Sequence, residues 1–323
     1  MPIVRYIVRR LAIALLVLFG ISLIVFTVIN LQPGNPYATM FSPQADAATR
    51  EELLRKVGYY DPIWLKYVKW LGRAVQGDLG YSIQLGLPVS AVIASRVGNT
   101  LVLTLAAAVI AFVIALPVGI YSAIRRGRVS DRVITIVTFG IMSIPAFFLA
   151  MILIRLFSAQ LKILPSSGII TPGFTGSSWD VTVDVIKHLV MPATVLAALS
   201  FATYSRYIRS SVSEILDTDY VRALFAKGVS RRKVLGKHVM KNAAKPIITV
   251  LTLAVPGLLS GALITETVFS WPGLGRLGYE AAVGRDYPLL MGITLLLAVA
   301  TLLANLLADV LYIVVDPRIR VQS

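Results

Sequence analysis

A chain of 323 residues that is 57% hydrophobic and only 15% charged, with a mean hydropathy of +0.78, has too little polar surface to coat water-soluble domains. The same apolar richness excludes a disordered chain, and the absence of cysteine excludes a disulfide framework, a zinc–thiolate site and a cysteine nucleophile. A net charge of +15 would suggest a nucleic-acid partner in a soluble protein, but in a membrane protein such an excess marks the cytoplasmic loops and implies no nucleic acid.

Six stretches reach the roughly 20 apolar residues that cross a bilayer: 11–31, 101–124, 133–157, 188–207, 247–269 and 289–315. They predict an all-α integral membrane protein with six transmembrane helices. The first follows Arg5, Arg9 and Arg10, is too long for a signal-peptide core and lacks an A-x-A cleavage site, so it reads as an uncleaved anchor. The connection 32–98 is too long for a turn and carries Trp64, Tyr67 and Trp70 among prolines and glycines, which predicts a folded external loop. Pro117, Pro145 and Pro256 predict kinks in the second, third and fifth spans. The connection 161–187, rich in Gly, Ser, Thr and Pro, predicts irregular structure.

Basic residues orient the chain. Nineteen of the 31 Lys and Arg side chains fall at the N-terminus, around Arg125–Arg132, between Arg206 and Lys245, or at Arg318 and Arg320. All of these lie on one side if the N-terminus is inside, whereas the three connections on the other side are close to neutral. Both termini are therefore expected in the cytoplasm.

The long cytoplasmic loop is the informative segment. Asp217, Thr218 and Asp219 suit a helix N-terminus, Val221, Leu224 and Phe225 form a short apolar stripe, and Gly228 suits a left-handed stop. Ser230 opens a second helix with Lys233, Lys237 and Lys241 on one face and Val234, Leu235, His238 and Val239 on another. Two readings stand side by side. One is an interfacial hairpin whose lysines meet anionic lipid; the other is a docking element whose apolar knob fills a groove on a cytoplasmic partner.

No G-x-x-x-x-G-K-[ST] cradle occurs, so P-loop ATP hydrolysis is excluded. No H-E-x-x-H occurs either, and the two histidines, His188 and His238, fall at an external helix start and in a basic loop. Catalytic, cofactor and metal residues are accordingly none. Charges within spans are candidates for function. Arg155 and Glu266 fall near the outer surface, and Asp309, a turn from Asn305 and Tyr312, near the inner one. Glu266, beside Gly261 and Pro256, is a candidate for lining the pathway.

Particular residues then carry a resemblance. Asp219-Tyr220-Val221-Arg222, Ala226-Lys227-Gly228, His238 and Asn242-Ala243 resemble the cytoplasmic docking motif of ABC importer membrane subunits. Leu31-Gln32-Pro33-Gly34-Asn35-Pro36, Gly77-Asp78-Leu79-Gly80-Tyr81-Ser82, Phe269-Ser270-Trp271-Pro272-Gly273-Leu274-Gly275, Arg285-Asp286-Tyr287-Pro288 and Asp316-Pro317-Arg318 are similar, in order, to the B-type membrane permease of bacterial dipeptide and oligopeptide ABC importers. Leu224 and Phe225 are bulkier than that motif usually carries, and Lys241 stands where many ABC permeases have proline.

The resemblance implies a type I ABC importer permease fold in the bacterial cytoplasmic membrane. Residues 1–31 would form the cytoplasmic N-terminus and first helix, 32–98 the external loop, 99–315 the permease core with coupling loop 208–246, and 316–323 a cytoplasmic tail. It implies a C-type sister permease, two cytoplasmic ATPases, an external binding protein and a peptide substrate. Asp219, Tyr220, Val221, Arg222, Leu224, Phe225, Lys227 and Gly228 would couple to the ATPase; Asp78, Tyr81, Trp271, Arg285 and Asp286 would meet the binding protein; Pro256, Gly261 and Glu266 would line a gate. Nickel, glutathione or an oligosaccharide as cargo, proton-coupled transport through Glu266 and Asp309, and a membrane scaffold are the competing expectations.

Overall fold

The computed structural model describes residues 2–37, 46–244, 247–248 and 262–315, the side chains of 2–7 and 308–315 excepted. Among the described residues four helices are long and apolar enough to cross a membrane: the parts Val8–Asn30 of α1 (Pro2–Asn30) and Tyr287–Leu307 of α12 (Tyr287–Val315), and the whole of α4 (Val89–Ile124) and α7 (Ser178–Leu216). A bent pair supplies a fifth. The predicted span 133–157 is not one helix, because α5 (Val129–Ser143) and α6 (Ala146–Leu153, continuing as a π turn Ile154–Gln160) meet at 97°. The ring of Pro145 excludes helical geometry at Ile144, which is extended at ψ 122°. Pro117 and Pro192 lie inside α4 and α7 without breaking either. Most of the predicted fifth span, with Pro256 and Gly261, lies outside the described residues, as do Pro246, the Asp309 and Tyr312 side chains and the tail from Asp316.

Two compact units divide the chain, Met1–Gly98 with Gly273–Leu303 and Asn99–Pro272 with Ala304–Ser323. In the first, the external loop does fold, into α2 (Ala47–Lys56) and α3 (Ile63–Val75). Tyr67 and Trp70 of α3 pack on Phe26 and Ile29 of α1 and on Met291 of α12, with Phe26 edge-on to Tyr67 at 5.3 Å. The Tyr67 hydroxyl is 2.9 Å from Ser22 Oγ, which satisfies a polar tip that would otherwise be buried alone. A second cluster joins Val89 and Ile93 to Leu274, Leu277 and Ala281 of α11 (Leu274–Val283) and to Leu289 and Ile293 of α12.

Asp286, 1% exposed, locks this unit. One carboxylate oxygen accepts from Ser82 Oγ at 2.5 Å and from the Gln84 amide at 3.2 Å, while the other caps α12 through the Leu289 amide at 3.2 Å. Asp286→Ala leaves those buried donors unpaired, an expected loss of about 1–3 kcal/mol that a lowered thermal midpoint of the purified subunit reads out. Asp286→Asn, whose single oxygen can still accept from one side, should recover part of it; equal losses in the two would contradict the assignment.

In the second unit, α4 and α7 face each other through small side chains, Ala107, Ala111 and Ala115 at four-residue spacing on α4 and Ala193 and Ala197 on α7. At Gly119 the approach is closest, since a Cβ there would lie 2.8 Å from the Ile208 side chain and from the Ser205 carbonyl oxygen. The helix α7 starts at Ser178, ten residues ahead of the predicted span. A capping box begins it, with the Ser177 amide donating to Asp180 Oδ2 at 2.9 Å and the Asp180 amide to Ser177 Oγ at 3.3 Å. Part of the predicted irregular connection is therefore helical. Its remainder is tied to α7 by Asp184, which accepts from the Thr171 amide at 2.7 Å and hydroxyl at 2.9 Å, beside buried His188.

Candidate functional site

The loop expected in the cytoplasm is built, over its described residues, as the sequence suggests in outline. Thr218 precedes α8 (Asp219–Ala226), and Gly228 stops it at φ +74°. The Gly228 amide donates to the Phe225 carbonyl at 3.0 Å and the Val229 amide to Leu224 at 3.1 Å, closing the helix back on itself. A non-glycine residue held at that φ costs about 1–2 kcal/mol.

The faces differ from expectation. Val221 is 1% exposed and Leu224 is half-buried, both packed into the chain's own core with Val212, Ile215, Val234 and Val239. The predicted apolar knob is thus split: Val221 and Leu224 anchor α8 to the subunit, and Phe225, 44% exposed, lies on its flank. Steric economy explains it, since an eight-residue helix cannot be held in place without spending its central apolar pair on its own chain. The outward face is Asp219, Arg222, Ala223, Ala226 and Lys227, all exposed, flanked by Phe225 on one side and Tyr220, half exposed, on the other. The small residues of the motif therefore stand on the open side, as Ala223 and Ala226.

The second helix, α9 (Arg231–Lys233), runs into a π turn over Val234–Val239. One π turn brings residues five apart to the same side, and so Val234 and Val239 are both buried. His238 is drawn off the predicted apolar face; its Nδ1 is 2.6 Å from the Tyr220 hydroxyl, tying α9 to α8. Lys233, Lys237 and Lys241 are exposed.

Beneath the loop is a junction that the charge count treated as loop residues. Asp131, 3% exposed on α5, receives both Arg209 Nε at 2.7 Å and Nη2 at 2.9 Å from α7. Ser122 Oγ of α4 donates to it at 2.5 Å and the Gly127 amide at 2.9 Å. Three helices meet on one carboxylate. Its signal in the sequence was faint, an aspartate in the first turn after a run of arginines, with its partner 78 positions away.

The residues expected to meet a binding protein part company. Asp78, Tyr81 and Arg285 are exposed; Asp78 Oδ1 accepts from the Gly80 amide at 2.9 Å, and Arg285 Nη1 donates to the Pro33 carbonyl at 3.0 Å. Asp286 and Trp271 are corrections to a surface role. Asp286 is the buried clamp described above, and Trp271 is fully buried, its indole N–H donating to the Asn99 carbonyl at 2.9 Å while Asn99 Nδ2 donates to the Pro272 carbonyl at 2.9 Å. Glu266, on α10 (Leu263–Val268), is also fully buried and accepts from Thr100 Oγ1 at 2.8 Å. Among the described residues no group of His, Asp and Glu is arranged to hold a metal.

Fold and loop together define a multi-pass helical membrane component that presents a short, glycine-stopped helix with an open face. Residues 115–321 match the family described as the binding-protein-dependent transport system inner membrane component, and residues 3–106 match the N-terminal part of the same component. The chain belongs to this family, the membrane permeases of ABC importers, in which ATP hydrolysis resides in separate subunits and a binding protein is a further partner.

Among its relatives are the oligopeptide transport system permease protein AppB of Bacillus subtilis, 40% identical over 97% of this chain and 98% of that one. The dipeptide transport system permease protein DppB of Escherichia coli K12 is 36% identical over 98% of each. The glutathione transport system permease protein GsiC of Escherichia coli O6:H1 is 38% identical over 98% and 99%. An inward-facing structure of the MetNI methionine ABC transporter shares the fold, with a TM-score of 0.55 at 20% identity over 70% of this chain and 97% of that one.

Proposed function

We propose that this chain is the B-type permease of a bacterial peptide importer, pairing with a C-type sister to enclose the pathway, with both termini in the cytoplasm. The observation that carries the reading is end-to-end identity of 36–40% to permeases named for dipeptide and oligopeptide transport. In this reading α8 sits in an ATPase groove through Ala223, Ala226, Tyr220 and Phe225, with Asp219, Arg222 and Lys227 at the rim, and Val221, Leu224 and Gly228 hold it in position. Asp78, Tyr81 and Arg285 belong to the surface that meets the binding protein, and Asp286 shapes that surface from within its own unit; Trp271 packs inside the other unit. Glu266, with Gly261 and Pro256, belongs to the gate.

Proteoliposomes holding this chain with its sister permease, ATPases and binding protein are expected to accumulate a labelled dipeptide or short oligopeptide only with ATP inside. Uptake that persists without ATP and collapses with an uncoupler would instead establish proton-coupled transport. The relative named for glutathione favours one further reading, a tripeptide-sized cargo. Competition by glutathione at the dipeptide's own half-saturating concentration would favour it.

A further inference from the structure

The first unit contains a cleft of about 990 Å³, walled by the outer end of α1, by α3, by the turn 79–83 and by the start of α12. Its two ends differ chemically. Phe26, Ile29 and Met291 make one end apolar, where the apolar stretch Val8–Asn30 of α1 ends and Tyr287–Leu307 of α12 begins. The other end is cationic, because Lys66, Lys69 and Arg73 recur at i, i+3 and i+7 along α3.

Lys69 is paired with Asp61 at 2.7 Å, and the rim cations Arg55 and Lys56 with Glu51 and Glu52, each at 2.7 Å. Lys66 and Arg73 have no carboxylate within ion-pair distance among the described residues, and the neighbouring segment 38–45 contains no acid that could supply one. Lys66 lies instead 5.2 Å from the centre of the Tyr59 ring, and burial pulls its ammonium below the usual lysine range against a weaker opposing pull from Asp61. Trp70 also lines the cleft, and its buried indole N–H finds no acceptor among the described residues. Two cations without an ion-pair partner and an unanswered donor above an apolar slot call for an anion with a hydrocarbon tail.

We propose that this cleft binds an anionic phospholipid of the outer leaflet, its phosphodiester on Lys66, Arg73 and the Trp70 N–H and an acyl chain along Phe26, Ile29 and Met291. The outward side of α3 fits the same setting. Trp64, Val68 and Val75 are 68%, 58% and 80% exposed on one face of α3, distinct from the side on which Tyr67 and Trp70 pack inward, and a bilayer interface covers such residues. The occupant is bilayer lipid, not the transported peptide.

The test uses the assembled transporter in nanodiscs of phosphatidylcholine doped with phosphatidylglycerol, followed by detergent exchange and mass spectrometry of the retained lipid. Wild type should retain phosphatidylglycerol in preference to phosphatidylcholine. Lys66→Gln with Arg73→Gln should lower retention roughly thirty-fold, the sum of two interfacial cation contacts. Lys56→Gln, whose cation is already paired on the rim, should change nothing, and the charge-conserving Lys66→Arg with Arg73→Lys should hold the lipid. Equal retention in wild type and the neutral double variant would overturn the proposal. So would loss in the charge-conserving variant, or displacement by inorganic phosphate or by a dipeptide at millimolar concentration, which would make the site one for free anions or for substrate carboxylate. Failure here leaves ATP-driven uptake intact and is thus distinct from failure of the peptide-importer reading.

Discussion

Arg209→Ala is expected to destabilise the subunit by about 3 kcal/mol. The pair it breaks is bidentate, and the partner left behind, Asp131, has a side chain only 4% exposed, with Ser122 and Gly127 as its remaining donors. Removing one member of a buried pair leaves an uncompensated charge, which costs about 3–5 kcal/mol; the lower figure applies because a third of the Arg209 side chain reaches solvent. Asp131→Asn should cost less, since Arg209 can turn its free guanidinium outward. The double variant Asp131→Asn with Arg209→Gln should recover part of the loss of Arg209→Ala. Thermal midpoints of the three purified variants decide it, and equal losses in Arg209→Ala and Asp131→Asn would contradict the asymmetry.

Ala223→Arg should separate docking from folding. The side chain projects from the open face of α8, so the subunit should insert and melt as wild type does. A long cation at the centre of a packed contact costs 2 kcal/mol or more, about thirty-fold in affinity, so the ATPases should no longer co-purify. Leu224→Asp is the contrasting variant. Because Leu224 packs on the subunit's own core, its loss should lower the melting midpoint as well as ATPase retention. Retained ATPase in Ala223→Arg would place the docking contact elsewhere.

These two positions show how far the sequence could be read. Spans and loop motifs were legible because hydropathy and short-range turn chemistry are local: Gly228 takes the left-handed stop that its place after Ala226-Lys227 suggests. The capping box Ser177-Ser178-Trp179-Asp180 was equally legible and would have started α7 at its observed place. Which side of α8 faces outward was not legible, because Val221, Leu224 and Phe225 share an arc whether it meets a partner or its own chain. Nor were the long-range pairings. Ser82 and Asp286 lie 204 positions apart, and nothing near either residue distinguishes a buried clamp from a surface acid. The 97° bend before Pro145 lies between these cases, since proline announces a break but not its angle.

One consequence follows from the length of α7. Its 39 residues extend about 58 Å, nearly twice the roughly 30 Å of hydrocarbon a bilayer presents. A single hydrogen-bonded rod thus has its capped beginning at Ser177 in one aqueous compartment and its end at Asp217, where α8 begins, in the other. Such a rod acts as a lever whose fulcrum is the close crossing at Gly119, which meets it at Ser205 and Ile208, about 16 Å from the Asp217 end and about 44 Å from Ser177: a tilt of about 5° there carries the near tip about 1.4 Å and the far tip about 4 Å, in opposite senses. A push at the α8 end then needs no relay of rearranging side chains to be felt at the other; distance labels at Ser177 and Asp217 would move in antiphase.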